Sequence, residues 1–168
     1  AEAGYDDNNP LKITLLTTDK DAAKIQAEAY QDMWKKNLGI HVSIKQREWK
    51  TYLTLLSDLD YDLATGGWIG DYPDPTTFLD MWKTGDGNNR TGWSSKPYET
   101  LLNAAEKTQD RAERLTLLKQ AEEIFLSEYA IMPINWYTSV YLLHPSVQNW
   151  HPLLLKNQPY KFLDLKQN

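Results

Sequence analysis

The sequence predicts an α/β or α+β domain built around a mixed β-sheet. Apolar and polar residues alternate strictly along residues 40–45, which is the period of a half-buried strand. Residues 115–129 carry apolar side chains at a 3.6-residue spacing, which is typical of a helix that faces a core. Predicted strands and helices alternate early in the chain, and two helices and further strands follow, an order that favours a layered domain.

The composition is that of a folded globular chain. The 168 residues are 41% hydrophobic and 24% charged, which suits one domain, or a domain and a fragment, with a real core. A membrane-spanning helix needs about 20 consecutive apolar residues, and no run in the sequence approaches this. The 23 acidic and 18 basic residues disfavour a nucleic-acid partner. Without cysteine, the chain has no disulfides and no thiol nucleophile.

The first helix is expected after a short strand at residues 11–16. Thr18 and Asp21 have the spacing of a capping box, and the helix should cover residues 22–38. Gly39 supplies its left-handed stop. The expected buried face consists of Ile25, Ala29, Met33 and Leu38.

The following elements lead into an irregular loop. Residues 40–45 form a strand, with Ile40, Val42 and Ile44 facing inward. A short helix at 49–56 and a strand at 63–68 come next. Glycine and proline make residues 66–75 a specific loop, and 76–82 should form one or two helical turns.

Two helices and further strands complete the prediction. Pro97 suits the first turn of one helix. Asp110 and Glu113 have capping-box spacing at the start of the next. The apolar stripe of that second helix comprises Leu115, Leu118, Ala121, Phe125 and Tyr129. Aromatic and β-branched residues predict a strand over 131–143 and a last short one near 160–165.

Acidic residues concentrate in the middle of the chain. Seven aspartates face a single basic residue, Lys83, between positions 58 and 86: Asp58, Asp60, Asp62, Asp71, Asp74, Asp80 and Asp86. Carboxylates beside aromatic rings suit a cationic ligand, although most loop aspartates serve as caps of turns and helices. Asp71 stands apart because it is held in the glycine- and proline-constrained loop, where binding residues concentrate.

Other chemistries have weaker support in the sequence. Paired carboxylates and tryptophans also fit a glycosidase, but nothing fixes two carboxylates across a scissile bond. The three histidines lack the spacing of a metal site. We therefore expect no catalytic residues, no metal and no cofactor.

The segment GGWIGDYPDPTTFL, residues 66–79, resembles the W-x-x-D-Y-x-x-P-x-x-F-L segment of the solute-binding proteins of oligopeptide and dipeptide ABC importers. Further matches, in order, are WKKNLGI at 34–40, EWKTYL at 48–53, YDLA at 61–64, AIMPI at 130–134 and NQPYKFLDL at 157–165. The resemblance covers nearly the whole chain.

The resemblance implies a type II periplasmic-binding-protein lobe, an α/β fold with a mixed sheet flanked by helices. Family members have two lobes that close on a ligand about a hinge. Residues 1–168 are then expected to be the C-terminal part of the second lobe, with the first lobe and hinge outside this chain. The implied partners are short peptides, the first lobe and an ABC permease. The implied location is the periplasm, or the cell surface as a lipoprotein in a Gram-positive organism.

The resemblance also implies roles for six residues. The Asp of the motif, here Asp71, meets the ligand's α-amino group. The backbone of Gly67, Trp68 and Ile69 pairs with the peptide like an added strand. Trp49 and Leu53 match residues that line side-chain pockets. The positions of two basic residues that meet the peptide's carboxylate in some relatives are neutral here, at Leu56 and Thr65.

Two alternatives remain at this point. The same superfamily includes binders of metal chelates, haem and other solutes, which would not need Asp71. A carbohydrate-active enzyme using two of the clustered aspartates is the second.

Overall fold

The computed structural model describes residues 3–6, 8–153 and 158–166. These residues form two units. The first runs up to Gly67 and includes Arg90–Gly92, and the second comprises Trp68–Asn89 and the described residues from Trp93 onward. None of the described helices is long and apolar enough to cross a membrane.

The first unit is a parallel sheet with a helix in each connection. Its elements are β1 (Lys12–Thr18), α1 (Asp21–Leu38), β2 (His41–Arg47), α2 (Trp49–Ser57) and β3 (Leu63–Ala64). β1 is central and pairs in parallel with β2 along its full length and with β3 at two positions. The α/β class is thus confirmed.

Two apolar clusters contact neighbouring residues of β1. Leu15 packs with Ala27 of α1 and Val42 of β2, whereas Leu16 packs with Tyr52 and Leu56 of α2. Successive strand side chains point to opposite faces. β1 therefore buries one leucine against each helix, and the predicted inward face of β2 is confirmed.

The ends of α1 were predicted better than its buried face. Gly39 adopts φ +68°, and its N–H donates to the carbonyl of Lys35, as expected for a left-handed stop. The predicted capping box is wrong, since Lys20 occupies the N-cap position and no side chain caps the helix. The expected buried face is also wrong, because its three largest members, Ile25, Met33 and Leu38, are exposed. The sheet instead contacts Ala27, Tyr30 and Trp34.

The second unit is mainly helical. It contains α3 (Thr76–Leu79), a 3₁₀ turn (Asp80–Trp82), α4 (Lys96–Lys107), α5 (Arg111–Ser127), β4 (Val147–Gln148), a second 3₁₀ turn (Tyr160–Phe162) and β5 (Asp164–Leu165). β4 and β5 pair antiparallel. The described chain therefore contains both kinds of strand pairing. The three-stranded sheet of the first unit is parallel, and the two-stranded sheet of the second unit is antiparallel.

The helix starts in this unit follow the prediction. Pro97 lies in the first turn of α4, and the carboxylate of Asp110 accepts hydrogen bonds from the N–H groups of Ala112 and Glu113. The core contains Tyr98 and Leu102 of α4 and three residues of the predicted α5 stripe, Leu118, Ala121 and Phe125. The two ends of that stripe are wrong, because Leu115 and Tyr129 are exposed.

Three predicted strands differ from the structure. Residues 131–143 adopt no strand, since their backbone groups find no partner among the described residues. β3 ends at Ala64 rather than at residue 68, where glycines follow. The last strand is limited to β5, after a 3₁₀ turn. Asn157 of the C-terminal motif lies outside the described residues.

Candidate functional site

Asp71 lies on the irregular loop of the second unit, between Gly70 and Tyr72. Its side chain is exposed, and its carboxylate has no hydrogen-bond or ion-pair partner in the described part of the chain. Its backbone N–H, in contrast, donates to the hydroxyl of Thr77 at 2.8 Å. The loop thus holds the backbone of Asp71 and leaves its charge available.

Asp74, three residues further on, has a fully engaged carboxylate. The guanidinium of Arg114 on α5 donates two parallel hydrogen bonds of 2.8 Å to it. The N–H and hydroxyl of Thr76 donate two more, at 3.0 and 2.8 Å. The hydrogen bonds from Arg114 are the largest influence on the pKa of Asp74. Burial opposes them and Thr76 assists, and the pKa lies well below its usual range.

Gly70 lies close to two side chains of α3. A Cβ atom at this position would lie 3.1 Å from both the ring Cζ of Phe78 and the Cγ2 of Thr77. Such contacts are tighter than ordinary van der Waals separation, so the neighbouring side chains would have to shift. The backbone immediately before Asp71 therefore packs closely against the side chains of α3.

The residues before Gly70 present unpaired backbone. No hydrogen bond joins the N–H or C=O groups of Gly67, Trp68 or Ile69 to any described residue. The side chain of Ile69 is exposed, and that of Trp68 is 36% exposed. Gly67 belongs to the first unit, and Trp68 and Ile69 belong to the second. Such backbone can pair with an extended peptide.

Within the first unit, Thr65 fixes the chain just before this segment. Its N–H donates to the carbonyl of Leu16 at 3.0 Å, and its hydroxyl lies 2.9 Å from that of Thr17. The hydroxyl of Tyr52 donates to the Thr65 carbonyl. Burial raises the pKa of Tyr52, although the charge of Arg90 opposes this, so the hydroxyl remains a donor at neutral pH.

Trp49 and Leu53 lie one turn apart on α2, in the first unit. Trp49 is 53% exposed and so is not a core residue. Its ring stacks on Tyr52 with centroids 5.6 Å apart, and the Lys20 ammonium lies 5.9 Å from its centroid. Leu53 is half-buried and packs against the cluster of Leu16, Tyr52 and Leu56. Trp49 is thus accessible over about half of its surface, while Leu53 belongs mainly to the core.

The acidic concentration resolves into separate roles. Five of the seven aspartates form a hydrogen bond or ion pair through the carboxylate: Asp60 with Lys45, Asp62 with Thr14, Asp74 with Arg114, Asp80 with Lys83 and Asp86 with Asn88. In the described chain, Asp58 and Asp71 have none. Nowhere in the described chain do three or more histidine, aspartate or glutamate side chains form a group that could hold a metal ion. Sequence reasoning did not find the Arg114 partnership, because 40 positions separate its members and no local pattern marks it.

Residues 1–90 match the family model "Bacterial extracellular solute-binding proteins, family 5 Middle". The chain belongs to family 5. It is 42% identical to the oligopeptide-binding protein OppA of Bacillus subtilis over 132 residues, which are 78% of this chain and 24% of that protein. It is 33% identical to the dipeptide-binding protein DppE of the same organism, over 98% of this chain and 30% of that protein.

The fold agrees with this membership. The crystal structure of Haemophilus influenzae OppA in complex with RPPGFSPFR superposes with a TM-score of 0.87 at 30% identity, over 98% of this chain and 33% of that chain. The family 5 chain therefore spans about a quarter to a third of the relatives that it matches. These relatives are binding proteins and not enzymes, which removes support from the carbohydrate-active alternative.

Proposed function

We propose that this chain forms part of the second lobe of an extracytoplasmic peptide-binding protein that serves an ABC importer. The names of the relatives support a peptide ligand, and the chain's share of their length supports a missing first lobe and hinge. In this proposal residues 1–168 correspond to the C-terminal part of the second lobe. Closure against the first lobe would complete the site and present a surface to the permease. The location would be the periplasm, or the cell surface through a lipid anchor.

Asp71 is the proposed anchor for the ligand's α-amino group. The observation that carries this assignment is its exposed carboxylate, which has no partner among the described residues, on a backbone held by Thr77. An ammonium that leaves water needs a charged hydrogen-bond partner. Asp74 is unsuited to this role because Arg114 and Thr76 already occupy its oxygens.

The backbone of Gly67, Trp68 and Ile69 would bind the peptide main chain. Pairing through main-chain groups gives affinity without selecting side chains, and the three residues have free N–H and C=O groups in the described chain. Trp68 and Trp49 would provide aromatic walls for ligand side chains, with Leu53 supporting the base of one pocket from the core.

The test is an NMR titration that follows the seven tryptophan indole N–H signals. The ligands are a free tripeptide and the same peptide N-acetylated. We expect saturable shifts of the Trp68 signal with the free peptide alone, and we expect Asp71→Asn to abolish them. Asp58→Asn is the matched control, because it neutralises another exposed aspartate without a partner in the described chain.

Each outcome has a distinct meaning. Equal shifts with both peptides would contradict the assignment of Asp71 to the ligand's amine. If neither peptide shifts a signal, this chain alone lacks a sufficient site. The same two peptides would then be measured on the protein that also contains the first lobe.

A further inference from the structure

We propose that Arg114 and Thr77 are positioning residues for Asp71. Thr77 contacts the Asp71 backbone directly, and Arg114 acts through Asp74 and the start of α3. This inference rests on the proposed function, because it concerns the carboxylate assigned to the ligand's amine. All the contacts involved lie within the second unit.

The first link joins α5 to the loop. Arg114 donates from Nη1 to Oδ2 and from Nη2 to Oδ1 of Asp74, both at 2.8 Å. Two parallel hydrogen bonds fix the plane of a carboxylate as well as its distance, which a single lysine contact does not achieve. About a third of each side chain is exposed, so the pair is partly shielded from water. The long helix thereby sets the position of Asp74.

The second link runs from Asp74 to the backbone of Asp71. Asp74 holds the N–H and hydroxyl of Thr76, and its carbonyl accepts from the N–H of Thr77 at 3.2 Å. Thr77 is buried, and its hydroxyl accepts the N–H of Asp71. Gly70 is packed against Thr77 at the same place. The Asp71 backbone is therefore restrained on its N-terminal side, while its carboxylate has no partner in the part of the chain that the structure describes.

This arrangement has a consequence for binding. When the backbone of a charged residue is already fixed, only its side-chain rotamers must be ordered as it meets a ligand, so less of the interaction energy is spent on ordering. Arg114 and Thr77 touch no ligand in this proposal. Because they act only through Asp71, which meets the ligand's amine, their loss should reduce the preference for a free amine over an acetylated one.

Hydrogen exchange of the Asp71 amide tests the positioning directly in the 168-residue chain. We expect Thr77→Val, which removes the acceptor of this amide, to accelerate exchange about tenfold, the effect of losing one modest hydrogen bond. Arg114→Gln, which acts through Asp74, should accelerate exchange in the same direction. Thr77→Ser keeps the hydroxyl and should restore slow exchange. Arg111→Gln removes the same charge one turn earlier on an exposed side chain and should leave exchange unchanged. Adding Asp74→Asn to Arg114→Gln should cause no further acceleration.

Ligand selectivity is the second readout. The ratio of affinities for the free and N-acetylated tripeptide would be measured in the protein, with or without the first lobe, that shows amine-dependent binding. Arg114→Gln should lower this ratio about tenfold with little change in affinity for the acetylated peptide. A wild-type ratio of one would refute the proposed role of Asp71 as the anchor of the ligand's amine. A wild-type ratio above one that Arg114→Gln leaves intact, or an unchanged Asp71 exchange rate, would overturn the positioning role alone.

Discussion

The hydroxyl of Tyr98 donates a 2.6 Å hydrogen bond to the backbone carbonyl of Leu79, inside the core of the second unit. Tyr98 is completely buried, and Leu79 is the last residue of α3. Burial raises the pKa of this tyrosine above its usual range, so it remains protonated and able to donate. The bond joins α4 to the short helix that follows the Asp71 loop.

Tyr98→Phe should therefore destabilise the protein without creating a cavity. The Leu79 carbonyl would lose its side-chain donor in a dry environment, and an unsatisfied buried polar group costs about 1–3 kcal/mol. Urea unfolding monitored by circular dichroism measures the change. Tyr137→Phe is the control, because this exposed tyrosine has no hydrogen bond to any described residue. Equal stability of the two variants would show that the bond contributes nothing.

The Asp74–Arg114 pair should make the free energy of unfolding depend on pH in the acidic range. The folded-state pKa of Asp74 is lowered from 3.8, so its contribution is present above the unfolded pKa and disappears as pH falls through the folded pKa. Asp74→Asn should cost about 1 kcal/mol at pH 7, the scale of a partly exposed charged pair. The difference from wild type should shrink progressively below about pH 4. A difference that stays constant from pH 7 to pH 2 would contradict this prediction.

Gly70→Ala should be destabilising although alanine is small. The added methyl would lie 3.1 Å from Phe78 and Thr77, and crowding of this kind costs about 1–3 kcal/mol. Gly87→Ala is the control, since nothing lies within 4 Å of a Cβ atom there. The midpoint temperatures of thermal unfolding of the two variants measure the difference in stability. A Gly70→Ala variant as stable as the control would mean that α3 adjusts freely.

The aromatic segment at residues 131–143 should promote self-association of this chain. It is uncharged, its backbone is unpaired in the described chain, and Trp136 and Val140 are 87% and 92% exposed. Unpaired backbone N–H and C=O groups beside apolar side chains are a template for strand pairing. The double variant Trp136→Ser, Val140→Ser should shift the sedimentation profile towards monomer.

A matched double variant separates strand pairing from non-specific hydrophobic association. Ile25→Ser with Met33→Ser removes comparably exposed apolar side chains from α1, whose backbone is satisfied within the helix. We expect it to change the sedimentation profile much less. Equal effects of the two double variants would show that the open backbone at 131–143 plays no part.

Features that depend on near neighbours in the sequence were predicted from it. The stop at Gly39, the cap at Asp110 and the alternation around Val42 each arise from a residue's own conformational limits or from groups a few positions away. The motif around Asp71 likewise indicated the family, because the identity and order of its residues are written in the chain. The peptide-binding role of that motif stays a prediction.

Tertiary structure decided which of several equivalent local choices was used. α1 carries two apolar stripes, and the sheet selected the one with Ala27, Tyr30 and Trp34. Residues 131–143 have strand propensity but no described strand to pair with, and a strand requires a neighbour. Asp71 and Asp74 look alike in sequence, yet only Asp74 meets Arg114, 40 residues away. Burial and charge pairing depend on distances in space, which no local pattern of residues encodes.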